Sequence, residues 1–103
     1  MLARSALCFV VLVAGLAAAS DRFPAVTIDG LVPGAAVSVS GTVHLVSDDD
    51  EFLLQDATGI VEVYLEHGGV TVRAGDAVTV RGVVDDDAPL EIYAQEVLVR
   101  SPD

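Results

Sequence analysis

Seven carboxylates stand in two short runs, Asp48-Asp49-Asp50-Glu51 and Asp85-Asp86-Asp87. Carboxylates packed this closely repel one another, and a divalent cation or a cationic peptide relieves the repulsion. A hard cation such as Ca²⁺ takes roughly 6–8 oxygens at about 2.3–2.6 Å, which flexible Asp loops can offer. The Asp-x-Asp-x-Asp-Gly spacing of a dedicated calcium loop is absent. A weak Ca²⁺ or other divalent-cation site is therefore expected, on the order of the millimolar range of extracellular modules. The plain alternative is two solvated turns. A second set of residues, Thr42, His44, Glu62, Tyr64, Thr79 and Arg81, falls opposite the valines in extended segments, so one outward ligand-binding face is expected there. Tyr64 on that face could stack on a sugar or base ring, or it could simply reflect β propensity.

Other chemistry finds little support. His44 and His67 are too few for a site with nitrogen and sulfur ligands, which needs three or four. Cys8 is the only cysteine and lies in the apolar N-terminal run, so thiol chemistry is not expected of the folded part. Ser38 and Ser40 precede His44, but no nucleophile elbow or oriented base accompanies them. Gly68-Gly69 alone is a turn and no phosphate-binding loop. A binding protein is expected, and no enzyme.

The N-terminus reads as an export signal. Arg4 precedes a continuous apolar run from Ala6 to Leu16, and Ala17-Ala18-Ala19 offers the small residues a signal peptidase reads. That run is shorter than the roughly 20 residues needed to cross a bilayer. Cleavage after Ala19 would leave a secreted or periplasmic chain with no membrane anchor and no disulfide. The expected layout is a signal peptide at 1–19, a lead-in segment at 20–34 and one domain at 35–100.

The formal charge is −11, and −12 once Arg4 leaves with the signal. Lysine is absent, and the remaining cations are Arg22, Arg73, Arg81 and Arg100. A field this negative repels nucleic acid. It favours cationic partners, or it serves solubility alone. At roughly 80 residues the domain buries only about 60% of its unfolded surface. A closed β-barrel suits that size because it also removes sheet edges.

Five strands are expected. Val37, Val39, Val43 and Leu45 alternate with polar residues across 35–46, with Gly41 on the apolar side where a strand must bend. Phe52-Leu53-Leu54 and Ile60 to Leu65 flank the turn Asp56-Ala57-Thr58-Gly59, which gives a hairpin of 52–56 and 60–65. Val78 and Val80 mark a strand at 76–84. Leu90, Ile92 and Ala94 mark another at 90–99, with an expected bulge near Gln95 and Glu96 where the apolar register slips. In the lead-in, Val26, Ile28, Leu31 and Val32 are expected to cap one end of the core. Three strands in a meander, a longer link and a final hairpin is the order of an OB-fold, an all-β five-stranded Greek-key barrel. In that fold the two acidic runs occupy the loops that flank the binding face.

Asp56-Ala57-Thr58-Gly59-Ile60-Val61-Glu62-Val63 is similar to a hairpin pattern of many OB-folds. Gly69-Val70-Thr71-Val72, Asp76 to Asp85 and Leu90-Glu91-Ile92 further resemble the bacterial OB-fold family, or BOF family. The likeness spans nearly the whole mature chain. It departs in lacking a Trp in the link at Glu66-His67-Gly68-Gly69 and in lacking lysines. The resemblance implies a small periplasmic protein with one barrel, a binding role toward small cationic ligands or envelope components, and a link to stress tolerance. The alternative is a structural or protein-interaction domain. Binding of single-stranded nucleic acid or oligosaccharide ranks below both.

Overall fold

The computed structural model describes residues 22–100. The expected signal peptide lies outside the described residues. Among the described residues, no helix is long and apolar enough to cross a membrane.

The alternation of valines with polar residues gives five strands: β1 (Ala36–Asp48), β2 (Glu51–Asp56), β3 (Gly59–Leu65), β4 (Ala77–Val84) and β5 (Glu91–Val99). They close into a barrel in the order β1-β2-β3-β5-β4. β1 is long enough to serve two partners. Its first half pairs antiparallel with β4, from Ala36↔Val83 to Thr42↔Ala77, and its second half pairs with β2. β3 and β5 run parallel, Glu62 beside Glu91 and Tyr64 beside Tyr93. The order and all five strands agree with the OB-type meander and hairpin expected from sequence.

Inward residues alternate along every strand and meet in one core. Val37, Val39 and Val43 come from β1, Phe52 and Leu54 from β2, and Val61 and Val63 from β3. β4 adds Val78, Val80 and Val84, and β5 adds Ile92 and Ala94. Full burial of Phe52 or Leu54 stabilises the fold by roughly 2–3 kcal/mol each. Two glycines permit the closure. A Cβ on Gly41 would run into the carbonyl oxygen of Gln55, and one on Gly82 into that of Tyr93. Neither backbone oxygen can move aside without breaking the sheet.

Bulges redirect two strands. β5 carries the expected one: Arg81 faces Glu96 but Gly82 faces Ala94, so Gln95 is the extra residue. β1 carries two that the pattern did not announce. Val43 faces Leu54 and Leu45 faces Leu53, leaving His44 unpaired, and a second shift follows between Val46 and Asp48. The first bulge turns Leu45 outward, to 41% exposure, against the expectation that it points inward. β1 also continues to Asp48, two residues past the expected end at 46, and only Asp49 and Asp50 make the turn.

The lead-in lies along the first half of β1, on the edge that β2 does not reach. Ser38 N–H donates to Pro24 O at 2.8 Å, and Val26 N–H donates to Ser38 O at 3.0 Å. A single 3-10 turn, Ile28–Gly30, follows. Val26, Ile28 and Leu31 pack on the core as expected, whereas Val32 is 59% exposed and caps nothing.

Candidate functional site

The inward register of β2, β3 and β5 decides what those strands show to solvent. With Phe52 and Leu54 inside, Glu51 and Leu53 point out; with Val61 and Val63 inside, Glu62 and Tyr64 point out; with Ile92 and Ala94 inside, Glu91 and Tyr93 point out. Strand pairing sets these six in two rows. Leu53, Glu62 and Glu91 form one, and Glu51, Tyr64 and Tyr93 the other. The rings of Tyr64 and Tyr93 meet edge to face, with centroids 5.8 Å apart and planes at 84°.

Glu51, Glu62 and Glu91 each bring a carboxylate oxygen to within 4.8 Å of the others, and all three are partly buried. Two charged carboxylates at that spacing repel by about 3 kcal/mol at an effective dielectric near 20. Burial first, then the neighbouring Glu62 carboxyl, then that of Glu51, push the Glu91 carboxyl up to about 7 from its ordinary 4.5. Tyr93 O–H donates to Asp85 Oδ2 at 3.3 Å. The Asp85 charge first, then burial and the Asp85 hydrogen bond, with Glu91 and Asp87 behind them, raise the tyrosine above its usual range. This patch of negative charge around a pair of aromatic rings is suited to positive charge.

The residues singled out from sequence do not all meet here. Glu62 and Tyr64 stand at its centre, and Glu51 joins them from the first acidic run. Asp85, Asp86 and Asp87 form a separate group within 4.8 Å of one another, and Asp85 leans on it through Tyr93. Asp48, Asp49 and Asp50 belong to neither group, so the seven carboxylates of the two runs do not converge at ligand distance. The physical reason is the tight turn: Asp48 and Glu51 pair across it, and Asp48 Oδ1 accepts the Asp49 N–H at 2.7 Å. Thr42 and His44 lie on β1 and reach the patch only across β2. Arg81 lies on β4, across β5, and is held by Glu96 at 3.2 Å. Thr79 also lies on β4, where its hydroxyl meets that of Ser40 at 2.9 Å, so the six face residues expected to act together are distributed around the barrel.

Sequence reasoning missed Glu91 and Tyr93. Their signal was present, since the inward Ile92 and Ala94 send 91 and 93 outward, although Leu90, expected on the same face, is 37% exposed. What was lacking was the parallel β3–β5 register that seats them beside Glu62 and Tyr64.

The turn at the other end of the hairpin is chemically its opposite. Asp56 Oδ1 accepts Thr58 N–H at 2.7 Å, Thr58 O–H at 2.6 Å and Gly59 N–H at 3.1 Å, and Oδ2 accepts Ile28 N–H at 2.9 Å. Thr58 Oγ1 in turn accepts Asp29 N–H at 3.0 Å. Burial works against the charge of Asp56, but these donors together outweigh it and hold the carboxyl below its ordinary value. The Asp-Ala-Thr-Gly turn therefore clamps the lead-in onto the barrel. A shallow cleft of about 680 Å³ opens beside it, between Ala25, Val26, Ser38, Ser40 and Ala57.

The sequence matches no family model and no curated protein. Solved structures do resemble it. The hypothetical protein YgiW from E. coli is 27% identical, with a TM-score of 0.64 over 75% of this chain and 90% of that one. The OBody AM1L10, solved bound to hen egg-white lysozyme, is 23% identical, with a TM-score of 0.60 over 71% of this chain and 89% of that one. Together with the strand order and the closed barrel, these likenesses identify the chain as a small OB-fold barrel.

Proposed function

We propose that this protein is an exported OB-fold binding module of the bacterial OB-fold type. Its ligand carries positive charge and sits on the outer face of β2, β3 and β5. One observation carries this reading: Glu51, Glu62 and Glu91 approach within 4.8 Å around an aromatic pair. The one ion pair among the described residues, Arg81 with Glu96, lies elsewhere. A cationic envelope component, an amine or guanidinium on a peptide, or a weakly held divalent cation such as Ca²⁺ would each relieve the crowding. The charge of −11 supports a cationic partner over nucleic acid. The molecule has no catalytic role in this reading, and its place is the periplasm or the outside of the cell, where tolerance of envelope stress is the expected setting.

Calorimetric titration with CaCl₂ and, separately, with a trilysine peptide tests the proposal. Binding in the millimolar range or tighter is expected for at least one, weakened about tenfold in Glu62→Gln, the usual scale for losing a charge-assisted contact. Absence of heat and of any rise in melting temperature at millimolar concentrations of both would refute it. The competing reading is a protein-interaction barrel, for which the exposed Leu45 and Ile60 offer apolar contact. A partner that remains bound in chelator and at high salt would favour that reading.

A further inference from the structure

Ser40 on β1 holds a backbone position that the chain leaves incomplete. The odd-numbered residues of this stretch direct N–H and C=O toward β4. Val43 N–H donates to Asp76 O at 2.9 Å, and at the far end of the same ladder Val84 N–H donates to Ala35 O at 2.9 Å. The even-numbered residues therefore direct theirs to the opposite edge. Ser38 gives both groups to the lead-in, donating to Pro24 O at 2.8 Å and accepting from Val26 N–H at 3.0 Å. Thr42 faces Gln55 of β2. Ser40 lies exposed between them, and neither of its main-chain groups on that edge has a protein partner among the described residues.

The Asp56 clamp is the reason. In a continued parallel register, Ser40 N–H would donate to Val26 O, and Ile28 N–H would donate to Ser40 O. Asp56 Oδ2 accepts the Ile28 N–H instead, at 2.9 Å, and draws the lead-in away from β1. β2 ends at Asp56, one residue short of a partner for Ser40. The gap is the cleft of about 680 Å³, with Ser38 and Ser40 along it, Ala25 and Val26 on one side and Ala57 and Thr58 on the other. That size falls within the roughly 300–1,000 Å³ of ligand sites. Asp56, the one charged residue lining the cleft, already accepts from four donors, and the Ser40 hydroxyl is engaged with that of Thr79 at 2.9 Å. What remains on offer is neutral main chain.

We propose that this cleft receives a short extended peptide with small, uncharged side chains, which adds to the edge of β1 at Ser40. Main-chain hydrogen bonds to the Ser40 N–H and C=O supply the affinity, as in strand addition generally. The occupant completes an edge that the lead-in pairs on one side of Ser40 and β2 on the other. Alanine walls on both sides leave room for a backbone and short side chains. A cationic group gains no charge contact here, so the cleft and the glutamate face select different ligands, and the inference stands apart from the cation reading.

Amide shift mapping on the nitrogen-15-labelled full chain tests the proposal, with acetyl-tetra-alanine amide as the probe. Saturable shifts are expected at Val26, Ser40, Ala57 and Thr58, with affinity on the order of millimolar for so short and flexible a peptide. Solvent exchange of the Ser40 N–H should slow. The same peptide methylated at every amide nitrogen cannot donate to Ser40 O and should bind about tenfold more weakly. Ala57→Trp, which fills the cleft from an exposed turn position, should weaken the unmethylated peptide at least as much, with the amide fingerprint of β3 to β5 unchanged. No saturable shift at tens of millimolar peptide, or shifts centred away from Ser40, would overturn the site. Equal binding of the methylated peptide, or undiminished binding to Ala57→Trp, would overturn the strand addition.

Discussion

Asp56 and Glu91 carry the same functional group and meet opposite surroundings. Asp56 sits in a turn whose every neighbour donates: three backbone N–H groups and one hydroxyl point at its two oxygens. Glu91 sits on a strand whose neighbours accept, with Glu62 and Glu51 at its side. The first carboxyl is driven below its usual range and the second up to about 7. The difference teaches that negative charge alone does not mark a binding site in this acidic molecule. Asp56 is already satisfied by the chain and acts as a structural clamp. Glu51, Glu62 and Glu91 are not, and their unmet demand for positive charge is what a ligand could use.

The strongest way to break the comparison is Asp56→Ala. It leaves the Ile28, Thr58 and Gly59 N–H groups without their acceptor and frees the lead-in. A loss of about 2 kcal/mol is expected, within the range for lost caps and unsatisfied donors. For a domain of this size that is a fall of roughly 10 °C in melting temperature. Hydrogen exchange at Val26 and Ser38 should accelerate. An unchanged melting temperature would show that the turn carries no structural weight.

Glu91→Gln should have the opposite sign. Removing the charge from a crowded, partly exposed trio is expected to stabilise the fold at pH 8 by about 1 kcal/mol, solvent screening having taken the larger part of the effect. The denaturant midpoint should rise with its slope unchanged.

The pH dependence separates the two residues. Asp56 has a lowered folded value, so its contribution is present above about pH 4 and is lost as acid protonates it. Glu91 has a raised folded value, so its contribution is full below about pH 4.5 and is lost as pH climbs through 7. Stability should peak between those limbs. Asp56→Asn should flatten only the acid limb, and Glu91→Gln only the limb toward neutrality. Thermal melts from pH 3 to pH 8.5 decide it, and parallel curves for the two variants would contradict the assignment.

Arg81→Ala should do least. Its ion pair with Glu96 is exposed on both sides, so a cost of about 0.5 kcal/mol or less is expected. Affinity for trilysine peptide should be unchanged, because Arg81 pairs with Glu96, farther along β5 than Glu91 and Tyr93, and is engaged there. A tenfold effect on that affinity would place the ligand on β4 instead.

How far the sequence reached follows from the same contrast. The barrel was legible because valine alternation, the Asp-Ala-Thr-Gly turn and the slipped register at Gln95 are local signals, and each forced one feature of the fold. The bulges at His44 and after Val46 were not legible. They arise where β1 must swing from β4 to β2, and nothing in a Val-His-Leu run marks that swing. The site was half legible. Glu62 and Tyr64 followed from period two, but their neighbours depend on which strands are adjacent and in what register. Counting carboxylates pointed to the two aspartate-rich loops, where Asp48 and Asp85 accept from backbone N–H groups of their own loops and Asp85 also accepts from Tyr93. The crowded trio takes one residue from each of three strands, a pattern no single stretch of sequence displays.

The most direct test of the central claim is amide chemical-shift mapping while trilysine peptide, and in a second series CaCl₂, is added to the nitrogen-15-labelled protein at pH 7.5. The expected result is saturable shifts concentrated at Glu51, Leu53, Glu62, Tyr64, Glu91 and Tyr93, with Asp56 and Ser40 still. Shifts centred on the Asp56 turn, shifts scattered over every acidic residue, or no saturable shift at all would contradict it.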